Sequence, residues 1–258
     1  MGINIFSIFR QNLSCMSTTF KTIRRNLAGK KFESEVYELN RFIKEGSVCV
    51  DVGAAYGRYA FHISKLVGKK GKVYCFEPGD YSYKVLSAVV KYHKMNNVVK
   101  VKKALSDSKG IEKLIIPIKE RGQIGPSLAR LGDAADSDEI SQDNVEVTTL
   151  DDFCVENGVQ KVAFIKCDVE GAEVKFFKGA EKVIDRDKPV ILCEVEGEHL
   201  IKFGSTPEQF YDSFIKKGYK IFILRDKKFI KVESMNENHN YFFIHSSSEA
   251  INMLKNAG

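Results

Sequence analysis

Ser47-Val-Cys-Val-Asp-Val-Gly-Ala-Ala-Tyr-Gly57 is the stretch around which the rest of this chain falls into order. Val48 to Val52 is short and almost wholly apolar, as a strand buried on both faces should be. A Gly53-x-x-x-Gly57 turn follows, and Tyr59, Ile63, Leu66 and Val67 then recur at helical spacing. Glycines at a strand-to-helix turn let the backbone come close to a ligand and take conformations that a side chain forbids. Asp51 interrupts the apolar run just before the turn. A carboxylate there costs desolvation energy unless a cation or a set of donors meets it. Strand, turn and acid together point to a site for a nucleotide-type cofactor.

Working outward, the same alternation repeats. A helical pattern over Glu33–Glu45 precedes the first strand. Lys72 to Phe76 reads as a second buried strand ended by Glu77-Pro78, Tyr81–Met95 as a helix, and Val98–Ser106 as a third strand. Later come a strand over Val162–Val169, a helix over Glu170–Ile184, a strand over Pro189–Val195 and a helix from Pro207 to Lys217. Three closing strands follow (Tyr219–Leu224, Lys228–Val232, Asn240–His245). Strand–helix–strand repetition predicts an α/β fold with a parallel sheet and right-handed crossovers. Residues 109–147 break the rhythm as a variable insertion. Gly110–Ile118 suits a short strand, residues 121–144 have no period, and a loop that long inside a domain suggests a lid. Thr149-Leu-Asp-Asp152 has the spacing of a helix start. Residues 31–258 read as one domain and residues 1–30 as an appendage.

The appendage mixes apolar residues (Ile3, Ile5, Phe6, Ile8, Phe9, Leu13) with Arg10, Lys21, Arg24 and Arg25. It lacks the order of a signal peptide, and Phe6 stands where a myristoylation pattern needs Ser or Thr. An amphipathic segment over residues 1–25 suits a membrane surface or a partner groove; a helix packed on its own domain, or a frayed end, is the plainer alternative. No run reaches the length of a membrane span. The six cysteines form no Cys-x-x-Cys pair and four fall in strands, which suits a reducing, cytoplasmic compartment. The net charge of +6 is carried largely by short lysine clusters without interleaved aromatics, so no nucleic-acid partner is expected. Nothing fixes the oligomeric state.

Acids mark the strand ends: Asp51, Glu77, Asp168 with Glu170, and Glu194 with Glu196. In an open parallel sheet these ends line the ligand crevice, so the carboxylates should converge. Glu77 follows the glycine turn at a distance that suits a ribose hydroxyl partner. The Gly-x-Gly-x-x-Gly fingerprint is absent, since position 55 is Ala, and no Gly-Lys-Ser/Thr phosphate loop occurs. Asp51 would repel a pyrophosphate. It suits instead a cofactor with a cationic amino-acid end, S-adenosylmethionine. His62, His93, His239 and His245 show no ligand spacing, so no zinc site is expected; carboxylates at the strand tips could hold a divalent ion only if several oxygens converge.

The blocks Val50-Asp-Val-Gly-Ala-Ala-Tyr-Gly-Arg-Tyr59, Cys75-Phe-Glu-Pro78, Ala104-Leu-Ser-Asp107, Thr149-Leu-Asp-Asp-Phe153, Phe164-Ile-Lys-Cys-Asp-Val-Glu-Gly-Ala-Glu173 and Ile191-Leu-Cys-Glu194 closely resemble the FkbM-type methyltransferases over residues 45–200. The resemblance implies a Rossmann-like class I methyltransferase: a seven-stranded, mostly parallel sheet, last strand antiparallel, with helices on both faces. Ala55 departs from the Asn usual in that family's turn. Carried over, Gly53, Ala54 and Gly57, with Ala55 and Tyr56 between them, would wrap the methionine end of S-adenosylmethionine and Asp51 would organise its amino group. Glu77 would hold the ribose, Ala104, Leu105 and Asp107 would flank the adenine, and Asp168 would lie nearest the reacting methyl. Asp168, Glu170 and His199 are the candidates for acceptor binding or base duty; Glu173 reads as structural. The implied reaction is O-methylation of a hydroxyl on a small molecule or glycan. Methylation of nucleic acid or amino groups is the alternative, against which stands the absence of an Asn/Asp-Pro-Pro-aromatic motif and of a Pro-Cys nucleophile. A nicotinamide-dependent dehydrogenase is disfavoured by Ala55 and Asp51, and a non-catalytic Rossmann-like binding module is the last alternative.

Overall fold

The computed structural model describes residues 5–29, 32–119, 123–124, 129–132, 139–235, 237 and 239–255. Its strands are β1 (Val48–Val52), β2 (Lys72–Phe76), β3 (Val98–Val101), β4 (Ala104–Leu105), β5 (Gly110–Lys119), β6 (Gln123–Ile124) and β7 (Arg130–Leu131). Then come β8 (Glu139–Thr148), β9 (Phe164–Cys167), β10 (Val190–Val195), β11 (Tyr219–Arg225), β12 (Lys228–Lys231) and β13 (His239–His245). The helices are α1 (Ile5–Ala28), α2 (Arg58–Val67), α3 (Asp80–Tyr92), α4 (Leu150–Glu156), α5 (Glu173–Lys178), α6 (Glu181–Asp187), α7 (Gly197–Lys202), α8 (Pro207–Lys216) and α9 (Glu249–Lys255).

The main sheet runs β12-β11-β13-β10-β9-β1-β2-β3. Pairs from β3 through β10 are parallel. β13 enters between β10 and β11 and is antiparallel to both, as the resemblance implies. The sheet has eight strands rather than the expected seven because β12 pairs with β11 at the outer edge. Asp226 and Lys227, both at positive φ, make the two-residue turn that a twisted hairpin prefers.

Alternation along the strands sends side chains to two cores. Val50, Val52, Ile165 and Ile191 pack with α4, α5, α6 and α8 on one face, and Cys49, Val73, Phe164 and Leu192 with α2 and α3 on the other. Asp51 stands beside Lys166 in the β1–β9 register, so both polar residues leave the sheet on one side.

Several expected boundaries are corrected. The strand expected over Val98–Ser106 is two strands in two sheets. β3 closes the main sheet and β4 joins β8 in a second, smaller sheet, ordered β4-β8-β5-β6 with β7 on β5. The break falls at Lys102-Lys103, whose ammonium groups turn outward to Asp80 and Glu146. The helix expected over Glu170–Ile184 starts at Glu173 and splits at Gly179, where the backbone crosses the Ser106 carbonyl; a Cβ there would lie 1.9 Å from that oxygen. Glu33–Glu45 is a 3₁₀ helix over Ser34–Arg41. α7 and α9, too short for a period to register, were not expected at all. Thr149 caps α4 through its hydroxyl, as its spacing predicts.

The insertion is more regular than expected. β5 and β8 form a long antiparallel pair with a bulge between Glu112 and Leu114, so residues 139–144 belong to a strand. Of the lid expected over 121–144, residues 121–122, 125–128 and 133–138 lie outside the described residues. α1 lies across α3, where Ser14 and Thr18 meet the Tyr81 hydroxyl at 3.0 and 2.8 Å. Among the described residues no helix is long and apolar enough to cross a membrane.

Candidate active site

Two adjoining cavities open at the carboxyl ends of β1, β2 and β9 and share Gly53, Ala55, Asp168 and Glu170. The geometry begins at Gly53. Its φ is +74°, and a Cβ there would lie 1.8 Å from the Asp168 carbonyl oxygen, so only glycine lets the first turn lie against the tip of β9. The Gly53 and Ala54 amides both donate to the Phe76 carbonyl. Ala55 donates to Glu77 Oε2 at 2.8 Å, and Gly57 opens α2. Tyr56 contacts the ring of Tyr81.

The Ala55 backbone sits at φ +44°, the left-handed region, where Asn or Gly is at home and Ala is strained. Ala55→Asn is therefore expected to raise stability by roughly 1 kcal/mol, read as a higher Tm in thermal denaturation. A lower Tm would show that the turn has no room for an amide there.

The smaller cavity, about 40 Å³, is an apolar slot between Ala104 and Leu105 of β4, Leu114, and Ala129–Leu131. That is room for one or two waters. Glu77 closes its inner end, 6% exposed. Both its oxygens are engaged, Oε1 by Gly79 N at 2.9 Å and Oε2 by Ala55 N. Burial pushes this carboxyl up to about 7 against the pull of those two amides. Each oxygen keeps a further lone pair for a hydroxyl donor.

The larger cavity, about 270 Å³, is polar and lined by Arg25, Glu33, Arg58 and Tyr59 above Asp51, Lys166, Asp168, Glu170 and Glu194. Asp51 is 1% exposed and its Oδ2 has no hydrogen-bond partner. Burial pushes it up to about 7; Lys166 pulls it back and Asp168 adds to the rise. Glu194 is raised to about 7 by burial and then by Asp168. Glu170, at φ +52°, is raised to about 8 by burial and then by Asp168, Glu194, Glu196 and Glu173. The basin thus holds more carboxyl groups than its charge balance supports at neutral pH.

Lys166 is the counter-charge. It is fully buried, with Nζ 3.8 Å from Asp168 Oδ2, 3.3 Å from Asn240 Oδ1 and 3.3 Å from the Cys167 carbonyl, above the ring of Tyr59. Burial pulls this ammonium down, but Asp168 and then Glu194 more than offset it, and its affinity for the proton ends above the ordinary lysine range. Sequence reasoning passes over Lys166, although a lysine inside an apolar strand carries the same signal as Asp51.

Asp51, Gly53, Ala54, Ala55, Tyr56, Glu77, Ala104, Leu105, Asp168 and Glu170 thus line the two cavities. Asp107 does not: it is exposed, with its carboxylate next to the Ser106 and Ser108 hydroxyls. His199 lines neither cavity. Its Nδ1 lies 3.3 Å from Glu196 Oε2, and Glu170, Glu196 and His199 bring one ligand atom each within 4.8 Å of one another. Three protein donors are fewer than the four of a closed structural zinc and equal the number that an open catalytic site completes with water, and the His199–Glu196 contact accounts for part of the cluster. Glu173, 3% exposed, accepts from the Gly171 amide and keeps Oε2 without a partner.

The model of the methyltransferase FkbM domain matches residues 51–221, the span from the Asp51 tip to β11. The chain belongs to the FkbM methyltransferase family. A solved FkbM methyltransferase from Methylobacillus flagellatus KT superposes with a TM-score of 0.51 at 16% identity, over 77% of this chain and 44% of that one. This FkbM-family chain therefore spans less than half the length of that protein, and at this identity the likeness concerns the fold. A SAM-dependent methyltransferase from Aquifex aeolicus (TM-score 0.41, 16% identity, 83% of this chain and 100% of that one) is also similar. So is a fibrillarin from Aeropyrum pernix with bound S-adenosyl-L-methionine (0.42, 19%, 79% and 68%). Among curated protein sequences nothing matches significantly. The methyl donor of FkbM methyltransferases is S-adenosylmethionine. The residues present fit it: an unpartnered buried carboxylate oxygen on Asp51 suits a cationic end, and Glu77 lines an apolar slot.

Proposed function

We propose that this methyltransferase transfers its methyl group to a hydroxyl oxygen of a small molecule or glycan. The observation that carries the reading is Asp168, which stands where the polar basin and the apolar slot meet, with its carboxylate 3.8 Å from Lys166 Nζ. S-adenosylmethionine supplies an activated methyl group whose sulfonium charge disappears on transfer. Asp51 and the turn Gly53–Gly57 would hold its amino-acid end, Glu77 its ribose, and Ala104 and Leu105 its adenine. Asp168 would take the acceptor proton or orient its hydroxyl, since a hydroxyl is a poor nucleophile until its proton has a destination. Positioning supplies much of the remaining rate.

The slot is too narrow for a purine, so the Ala129–Leu131 wall must swing outward on binding. Two measurements test the reading together: hydrogen exchange at Ala129–Leu131 with and without S-adenosylhomocysteine, and a screen of hydroxyl acceptors with labelled methyl donor. Altered protection at that wall and label on oxygen are expected. Label on nitrogen or on a nucleobase would replace the hydroxyl reading.

Glu170 gives this site a pH dependence. It is neutral below its shifted value of about 8 and charged above it. As pH rises through that value, one more negative charge joins the basin and a cationic donor should bind more tightly. A unit charge acting over about 10 Å at an effective dielectric near 20 is worth roughly 1.5 kcal/mol, or about tenfold. The dissociation constant of S-adenosylmethionine is expected to fall between pH 6 and 9 in both proteins, because Asp51, Glu77 and Glu194 also ionise there, and to fall by about that factor more in wild type than in the Glu170→Gln variant. Parallel curves for the two proteins would take Glu170 out of the account.

A further inference from the structure

Over residues 13–28, α1 is packed inside out. A surface helix normally turns its apolar stripe to the protein. Here the buried face is mostly polar: Thr22 and Asn26 are each 3% exposed beside Ile23, and Ser14 and Thr18 reach Tyr81. Leu13, Met16, Phe20 and Leu27 face outward, 51%, 70%, 67% and 65% exposed. At 100° per residue these four lie within an arc of roughly 60°, a continuous stripe rather than scattered apolar residues. The exposed Lys21 and Arg24 lie along one edge of it. Residues 1–32 contain Arg10, Lys21, Arg24, Arg25, Lys30 and Lys31 and no Asp or Glu.

We infer that this stripe docks the protein on an anionic phospholipid surface, with α1 lying in the interface plane. Two observations choose this occupant. The flanking charge is all of one sign and complements an anionic leaflet, where each lysine or arginine adds attraction. The same charge works against a second copy, because a two-fold interface through this helix would bring together two patches of one sign with no acid of residues 1–32 to offset them. The helix is not apolar enough to span, and a one-sided apolar face with a basic edge is the form of a helix that lies on a membrane.

The test is sedimentation of the full chain with two kinds of vesicle, phosphatidylglycerol with phosphatidylcholine in equal parts, and phosphatidylcholine alone. Binding to the first, weakening with salt, is expected. The triple variant Met16→Gln, Phe20→Gln, Leu27→Gln should lose about a hundredfold in affinity, and Lys21→Gln with Arg24→Gln about tenfold. Glutamine keeps helix propensity, and the altered side chains point away from the protein. Circular dichroism and S-adenosylhomocysteine binding should therefore be unchanged, which separates a lost surface from a lost fold or a failed donor site. Absence of binding to the anionic vesicles, equal binding by the triple variant, or a wild-type dimer in light scattering that the triple variant abolishes would each overturn the proposal. The last outcome would assign the stripe to a second copy.

Discussion

Replacing Lys166 with Met is expected to cost about 3–5 kcal/mol of stability at pH 8.5, the usual result of stranding buried partners of a removed charge. At pH 5.5 the part of that loss carried by Asp51 and Glu194 should vanish, and the part that comes from the Asp168 ion pair should remain. Lys166 is fully buried and holds down the proton affinities of Asp51 and Glu194, which burial has already raised to about 7. Without it both folded-state values climb further above their unfolded ones. An acid whose folded pKa is raised contributes stability that is present at low pH and lost as pH rises through that pKa. Below about 7 both carboxyls are neutral in wild type and variant alike, so the variant loses little from them. Above it the variant must keep them neutral at increasing cost or ionise them uncompensated. Urea denaturation at the two pH values separates the cases. An equal loss at both would mean that Lys166 acts by packing or through Asp168 alone, and the charge balance drawn for Asp51 and Glu194 would be wrong.

The Asp168→Asn variant is expected to lose about 10²–10⁴ in kcat, the range typical of a removed acid–base group. Its affinity for S-adenosylhomocysteine should stay within about tenfold. The substitution keeps shape and leaves the backbone alone, including the amide that donates to Val52 and the carbonyl against Gly53. What changes is an acceptor-only carboxylate, which becomes a group that cannot take a proton. A fall in donor affinity that accounts for the whole loss would make Asp168 a residue of the donor site. Undiminished turnover would remove it from the chemistry altogether.

Where sequence and structure agree, a local pattern and a global placement carry the same information. An apolar pentapeptide ending in Asp-Val-Gly can hardly be anything but an inner parallel strand, and the acids at successive strand ends converge because parallel strands all end at one rim. Asp51, Glu77, Asp168 and Glu170 could therefore be placed together from spacing alone. Departures arise where a distant backbone decides. Gly179 looks like a tolerated glycine inside a helix until the Ser106 carbonyl is seen beneath it. Lys102 and Lys103 look like an ordinary edge of one strand, yet they divide two sheets. Arg25 and Glu33 enter the basin from segments with no motif, and only the packing of α1 and the 3₁₀ turn reveals them, whereas Arg58 opens α2 inside the first motif block. Asp107 shows the reverse: its place in a family block suggested a wall, and the chain turns its carboxylate to solvent.

The hand-over of the chain from β3 to β4 divides responsibility for the reaction between two bodies. The main sheet keeps the glycine turn, Glu77 and Asp168, whereas the small sheet brings Ala104, Leu105, Leu114 and Leu131 to the slot. A hairpin hung on so short a seam is a replaceable cassette. Exchange of residues 110–148 for the equivalent hairpin of another methyltransferase should change which molecule is modified and also the grip on the donor, read as a shifted affinity for S-adenosylhomocysteine.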